Sequence, residues 1–256
     1  MSDFRKKLYQ GYVTKFKIEQ TRMDERTIKS FWAWYEYKYL PLLEGLDRNS
    51  LILELGCGPG YLLGFLKNRG FSRVEGIDIS EEQIRIAAGC GLNVKVADAF
   101  DYLSSKQEAF HAIIAIDFIE HFNKEEIFRL IPSIHRALKQ DGILIIQTPN
   151  GQGIFPNQVV YGDLSHLTVF TPDSLKQILT LVGFDGLRFY ETGPVPKRLK
   201  GKIRTILWRL IKKLTNTIRI IETGKKQEIW TENLICFCRK PSPTQTFSVS
   251  EHFPKI

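Results

Sequence analysis

Leu51-Ile52-Leu53-Glu54-Leu55-Gly56-Cys57-Gly58-Pro59-Gly60 is the stretch on which the reading of the whole chain turns. Its first five residues, apolar but for Glu54, read as a buried strand. Gly56, Gly58 and Gly60 turn the chain, and Tyr61 to Arg69 has helical character. Glycine lets a backbone come close to a ligand, and the first turn of a helix presents N–H groups without intrahelical partners. A strand, a glycine turn and a helix N-terminus in direct succession make a place for a ligand with a polar end.

Working outward, the same alternation repeats. Val74 to Ile77 reads as a second strand, and Ser80 caps a helix running to about Ala88. Val94-Lys95-Val96 is a third strand and His111 to Ile116 a fourth, followed by a helix from about Lys124 to Lys139. Asp141-Gly142 turns the chain into a fifth strand, Ile143 to Gln147. Thr171 caps a helix over Pro172 to Val182 that Gly183 ends, and Phe184 to Tyr190 is a sixth strand. The seventh spans Ile229 to Arg239. Strands alternating with helices at this spacing predict an α/β fold, a parallel sheet covered by helices on both faces. Residues 3–46 read as helical, ending in an aromatic cluster in which Phe31, Trp34, Tyr35 and Leu42 share a face and Pro41 breaks the helix. The expected organisation is a helical lid over 1–47, a ligand-binding domain over 48–240 with a basic insert at 197–224, and a loose tail over 241–256.

Composition excludes several classes. With 256 residues, 43% hydrophobic and 25% charged, the chain has apolar mass for one sizeable core and is neither disordered nor collagen-like. The net charge of +8 suggests an anionic partner, but its location matters more. Between Lys197 and Lys226 there are eleven Lys or Arg against the single acid Glu222; the rest of the chain holds 25 basic and 27 acidic residues. Cys57, Cys90, Cys236 and Cys238 are too scattered for a disulfide framework or a zinc ribbon. Met1 to Gln10 is polar, and no apolar run approaches the ~18 residues of a membrane span. The expectation is a cytoplasmic protein with free thiols, peripheral to a membrane if the basic insert binds one.

The glycine pattern fits a dinucleotide fingerprint poorly, because the third glycine falls one residue too early and Tyr61 follows it. Glu54-x-Gly56-x-Gly58-x-Gly60 instead resembles the first motif of class I S-adenosylmethionine-dependent methyltransferases. Asp78, at the end of the second strand, matches the acid that in this family accepts the ribose hydroxyls. Asp98, in Val96-Ala97-Asp98-Ala99, matches the acid on the adenine side, and Asp117 stands where the family's fourth motif lies. Asp141-Gly142-Ile143-Leu144 matches the turn into strand five, with Asp in place of the usual proline-glycine pair. The resemblance covers roughly residues 50–190 plus the final strand. It implies a Rossmann-like seven-stranded sheet, mostly parallel with the last strand antiparallel. It also implies S-adenosylmethionine held along Glu54, Gly56, Cys57, Gly58, Gly60, Asp78, Ile79, Asp98, Ala99 and Asp117. A carboxylate suits a vicinal diol by paired hydrogen bonds. Glu54 is expected to orient the glycine loop or to meet the cofactor's amine.

Methyl transfer is an in-line displacement, and an alcohol nucleophile benefits from a base that removes its proton. His121, in Asp117-Phe118-Ile119-Glu120-His121, follows strand four at the carboxyl end of the sheet, where such folds place ligands. His166 follows Asp163 in Asp163-Leu164-Ser165-His166, on a loop expected to wall the substrate. Both patterns resemble a subgroup that includes ubiquinone-biosynthesis and glycan O-methyltransferases, so His121 or His166 is the candidate base, with Asp163 beside it. Glu120, His121, Asp163 and His166 could together ligate a divalent metal, but mixed ligands on separate loops give no assignment, and none is made. The Asn/Asp-Pro-Pro-aromatic signature of nucleobase amino-methyltransferases is absent.

In the basic insert, Leu199, Ile203, Ile206, Leu207, Leu210, Ile211, Leu214, Ile218 and Ile221 fall on one helical stripe about 140° wide. Two readings stand: a helix packed on the domain by that stripe with a solvated basic face, or an interfacial helix on anionic lipid through 197–221. Nucleic-acid contact is disfavoured, since Trp208 is the segment's single tryptophan. The expected reaction is O-methylation of a hydroxyl on a glycan, quinone or lipid-linked intermediate at the cytoplasmic membrane face. The alternatives are small-molecule N-methylation and a non-catalytic cofactor-binding regulator.

Overall fold

The computed structural model describes residues 25–242. Residues 1–24 of the expected lid and 243–256 of the expected tail lie outside the described residues. Strands β1 (Ile52–Leu55), β2 (Val74–Asp78), β3 (Val94–Val96), β4 (Phe110–Ile116), β5 (Leu138–Pro149), β6 (Asp185–Glu191) and β7 (Asn233–Arg239) form one sheet. Their order is β3-β2-β1-β4-β5-β7-β6. Strands β1 to β5 run parallel, and β7 is antiparallel to both β5 and β6, as the resemblance implies.

Alternation along the central strands divides the core. Leu53, Leu55, Ile113, Ala115, Leu144 and Ile146 face one side. There they pack under α4 (Ala99–Ser104), α5 (Lys124–Ala137) and α7 (Pro172–Val182). Ile52, Ala112, Ile114, Ile143 and Ile145 face the other side. They pack under α1 (Glu25–Lys38), α2 (Tyr61–Asn68) and α3 (Glu81–Gly89). Period-2 strands covered on both faces leave the carboxyl ends of β1 and β4 as the one place where the strand order reverses and a crevice opens.

Several boundaries differ from the sequence reading. The seventh strand begins at Asn233 rather than Ile229. The preceding residues are buried but bond sideways: Asn150 Nδ2 donates to the carbonyls of Ile229 and Thr231. The helix from Lys124 stops at Ala137, and β5 starts at Leu138, because Leu138 already pairs with Phe110. Asp141-Gly142 lies inside that strand as an irregularity, with Asp141 at φ 60°. The helices α4 and α6 (Asn157–Tyr161) are too short for helical periodicity to register, and the sequence reading lacks both.

The insert forms one helix, α8 (Leu199–Thr223), and here one of the two readings of the stripe falls. The apolar stripe does not pack on the domain. All nine of its residues are between 46% and 81% exposed. The helix is held by its opposite face: Trp208 Nε1 and Lys212 Nζ donate to Glu191 Oε2, and Asn216 Nδ2 donates to the Gln227 carbonyl. Trp208, which lies off the stripe, marks the face that docks.

Candidate active site

The crevice at the β1/β4 switch opens into a cleft of about 1120 Å³. Its floor is the glycine turn after β1. Gly56 and Gly60 have φ of +67° and +82°, in the left-handed region that side chains rarely enter. At Gly56 a Cβ would lie 2.6 Å from the Phe118 ring, so the loop carries no side chain there and its backbone stays exposed to a ligand.

Asp78 ends β2 and is fixed from two directions. The Gly58 N–H donates to Oδ2 at 3.0 Å and the Ser80 N–H to Oδ1 at 2.8 Å. A carboxylate oriented in this way suits a ribose diol, which offers two hydroxyl donors side by side. Glu54 is 4% exposed, and its Oε2 is buried without a hydrogen-bond partner. Burial, then the Asp78 charge, pushes its carboxyl well above the usual range. A buried carboxylate of this kind at the cleft fits a cationic group such as the α-ammonium of S-adenosylmethionine.

Asp98 caps α4, its Oδ1 accepting the Phe100 N–H at 2.8 Å. Asp117 follows β4 at φ 48°, a strained conformation for a residue with a side chain. Gln147 Nε2 donates to its Oδ1 at 2.9 Å, and the Tyr39 hydroxyl donates to Gln147 Oε1 at 2.8 Å. Burial holds Tyr35 and Tyr39 far above the ordinary phenol range, so both remain protonated donors. Above the loop, the Phe31 ring stacks on Tyr61 at 5.0 Å, closing one side of the cleft with aromatic surface from α1.

On the far wall stands His121, behind which a short polar chain runs. The Ser165 hydroxyl donates to Asp163 Oδ1 at 2.5 Å and lies 2.9 Å from His121 Nδ1. A hydroxyl has one proton, so Ser165 accepts from the imidazole, and the Ser165 carbonyl 3.4 Å from the same nitrogen can only accept as well. In the neutral ring the proton therefore sits on Nδ1 and the lone pair on Nε2. That is the tautomer of a base.

Residues 31–188, well over half of the chain, match the family described as "Methyltransferase domain". The chain belongs to that family. Among curated relatives of this methyltransferase is a tRNA (carboxymethyluridine(34)-5-O)-methyltransferase of Arabidopsis thaliana. It is 33% identical over 147 residues, 57% of this chain and 33% of the relative. A mitochondrial ubiquinone biosynthesis O-methyltransferase of Mus musculus is 30% identical over 173 residues, 53% of this chain and 46% of the relative. The chain thus spans a third to a half of the length of these two relatives. A solved SAM-dependent methyltransferase from Archaeoglobus fulgidus superposes with TM-score 0.63 at 22% identity, covering 83% of this chain and 94% of that one. These likenesses and the cleft agree on a methyltransferase domain with the family's fold and a cleft whose residues fit S-adenosylmethionine.

The methyltransferase gathers most of its expected residues in one place. Glu54, Gly56, Cys57, Gly58, Asp78, Ile79, Asp98, Ala99 and Asp117 all line the cleft, as does His121. Gly60 does not; it is the left-handed N-cap of α2 and sets the helix direction. His166 and Asp163 stand behind the wall rather than in it. The His166 ring packs edge-on against His121 at 4.9 Å, and its Nε2 lies 4.0 Å from Glu120 Oε1. Ser165, fully buried and central to the chain, was not foreseen; the Asp163-x-Ser165 turn pattern was its one sequence signal. Glu120, His121 and His166 bring ligand atoms within 4.8 Å of one another, with Asp163 outside the group. Glu120 Oε1 is buried without a hydrogen-bond partner, and burial raises that carboxyl far above its ordinary range. With Nδ1 bonded to Ser165, His121 could join a metal only through Nε2, so a bound cation and a base at His121 exclude each other.

Proposed function

We propose that this enzyme methylates a hydroxyl oxygen of a glycan, quinone or lipid-linked intermediate, at the cytoplasmic face of a membrane. The observation that carries the O-methyl reading is the Asp163–Ser165–His121 chain at the edge of the cofactor cleft. S-adenosylmethionine, when bound, supplies an electrophilic methyl carbon on a sulfonium. The glycine turn and Asp78 hold the cofactor, Glu54 meets its ammonium, and the aromatic wall from α1 excludes water. His121 takes the proton of the acceptor hydroxyl at Nε2, and Ser165 and Asp163 hold the ring and stabilise the imidazolium.

Label transfer from methyl-labelled S-adenosylmethionine into fractionated lipid, glycan, small-molecule and RNA pools tests the substrate class. Label in lipid or glycan supports the reading; label in RNA alone sinks it. His121→Ala is expected to lower turnover by about 10²- to 10⁴-fold while S-adenosylhomocysteine affinity holds. An unchanged rate would remove His121 as the base.

The membrane part rests on α8. Lys202, Arg209 and Lys213 border one side of the exposed apolar stripe, and Lys200 and Arg204 the other. An exposed apolar face edged by cations matches the lipid–water boundary. Among the described residues no helix is long and apolar enough to cross a membrane, so contact would be peripheral. Co-sedimentation with phosphatidylglycerol vesicles should be abolished by Leu210→Glu/Leu214→Glu and weakened by Arg209→Glu/Lys213→Glu. Equal sedimentation of all three proteins would refute it.

A further inference from the structure

Beside the cofactor cleft lies a second cavity of about 1310 Å³, between α1, the start of α8 and the segment before β7. The two share Ser30, Trp34, Thr192 and Asn233 as a common border. No step of the methyl transfer uses this second cavity. Its lining contains Lys29, Arg69, Lys197, Arg198, Lys200 and Arg204 against one acid, Glu232. Arg69 is paired with Glu36. Lys197, Arg198, Lys200 and Arg204 make no ion pair among the described residues, and all four are exposed. Four cations within eight residues repel one another at a cost that a bound anion removes.

The walls are aromatic. The chain has four tryptophans, and Trp32, Trp34, Trp208 and Trp230 all line this one cavity. Three are pinned by their indole N–H groups: Trp34 to the Thr192 carbonyl, Trp208 to Glu191 and Trp230 to the Gln227 carbonyl. Their polar edges are spent on the protein, which leaves ring surface for a ligand. The first turn of α8 adds to the charge, since its N-cap, Arg198, gives no side-chain acceptor and no acid lies in that turn. The rim is held tightly; a Cβ on Gly193 would touch Thr231 and approach the Trp208 ring.

We infer that this cavity binds a phosphate or diphosphate ester, the anionic end of the acceptor, with its apolar body against the tryptophans while the hydroxyl enters the cofactor cleft. The inference rests on the hydroxyl-acceptor reading above and names the acceptor's chemical class. The shared border lets one extended molecule occupy both cavities, with the cationic rim setting which end lies where. The phosphate comes either from a soluble ester or from a lipid headgroup at the surface on which α8 lies.

The tryptophans make the test direct. With S-adenosylhomocysteine held at saturation, so that Trp34 at the border is constant, intrinsic fluorescence of the full chain is titrated with geranyl diphosphate. A parallel series uses phosphatidylcholine vesicles doped with phosphatidylglycerol. A saturable change with geranyl diphosphate identifies a soluble ester as sufficient; a change with vesicles alone assigns the headgroup. With geranyl diphosphate, Lys200→Glu/Arg204→Glu should weaken the response at least tenfold while S-adenosylhomocysteine affinity is unchanged; with vesicles it should weaken it more than Arg209→Glu/Lys213→Glu, which border the stripe but not the cavity. Three results would overturn the inference: geraniol binding as tightly as its diphosphate, an undiminished response in the charge-reversed variant, or no response in either series. Label transfer separates the two claims. A tight diphosphate response in a protein that methylates no hydroxyl fails the reaction alone, and O-methylation without any response fails the cavity alone.

Discussion

The cofactor cleft and the cavity beside it share a wall but carry opposite charge. The cleft is lined by Glu54, Asp78, Asp98, Asp101, Asp117 and Glu126 against one Lys or Arg, Arg129. The cavity has six bases against the single acid Glu232. They also differ in how the charge is held. Asp78 and Asp98 are fixed by backbone N–H groups at the carboxyl ends of strands, and Glu54 is buried. The unpaired bases of the cavity stand on exposed side chains of an insert and the loop before it. A sheet end gives a preorganised site for a cation-bearing cofactor, whereas an insert gives a charged rim that can change without disturbing the fold. The first belongs to the family's architecture, and the second is where a chain can carry a specificity of its own.

The contrast would break most visibly at Asp78. Asp78→Ala takes away the acceptor for the Gly58 and Ser80 N–H groups and the partner for the ribose diol. With about 1.5–3 kcal/mol for a hydrogen bond to a charged group, S-adenosylhomocysteine affinity should fall by roughly 10- to 10²-fold. The tryptophan response to geranyl diphosphate should stay within about twofold of the parent, since ordinary surface effects lie within ±0.5 kcal/mol. Calorimetry for the first ligand and fluorescence for the second check both halves. A parallel collapse of the two would show that the cavities are one site.

Protons sharpen the comparison further. In the folded chain Glu54 has its carboxyl raised above the ordinary value of 4.5 by burial and by Asp78. Relative to the unfolded chain it therefore binds its proton more tightly. The associated stability is present below that value and is lost as pH rises toward the folded pKa. An arriving ammonium favours the ionised form, so cofactor binding should release protons in the pH range between the ordinary carboxyl value and the raised folded one. Calorimetry of S-adenosylhomocysteine binding in two buffers of different ionisation enthalpy would detect the release, and Glu54→Gln should reduce it and flatten the loss of stability with pH. Diphosphate binding in the basic cavity should be indifferent to that substitution. Proton release unchanged in Glu54→Gln would assign it to another group.

These effects follow the line between what the sequence states and what it leaves open. The glycines of the β1 turn were legible because a left-handed backbone has few other solutions, and Gly56, Gly58 and Gly60 all have positive φ. Asp117 adopts the same region with a side chain, which no spacing announces; tertiary bonds from Gln147 hold it there. Ser165 was missed because its role depends on two loops meeting, His121 after β4 and Asp163 after β5. In α8 the periodicity identified the stripe correctly but not its direction. Hydrophobic period names a face, and only contacts name what it faces; Trp208, off the stripe, was the informative residue.

The smallest expected effect lies at Glu191, where the two regions are joined. Its Oε2 accepts from Trp208 Nε1 and Lys212 Nζ, its Oε1 accepts the Trp230 N–H, and its carbonyl accepts from Lys38 Nζ. One residue at the end of β6 therefore ties α8, α1 and the approach to β7. Glu191→Gln keeps the backbone bond and one side-chain acceptor but loses the ion pair with Lys212, whose side chain is 27% exposed against 18% for Glu191. A partly screened pair of this kind contributes about 1 kcal/mol, so Tm should fall by roughly 2–4 °C. The indoles of Trp208 and Trp230 would be held less firmly, and the diphosphate response should weaken a few-fold. S-adenosylhomocysteine affinity should not move, because none of the Glu191 bonds reaches the glycine turn or Asp78. If cofactor affinity fell as well, Glu191 would be transmitting between the cavities, and the cationic rim would regulate the cleft instead of only addressing the acceptor.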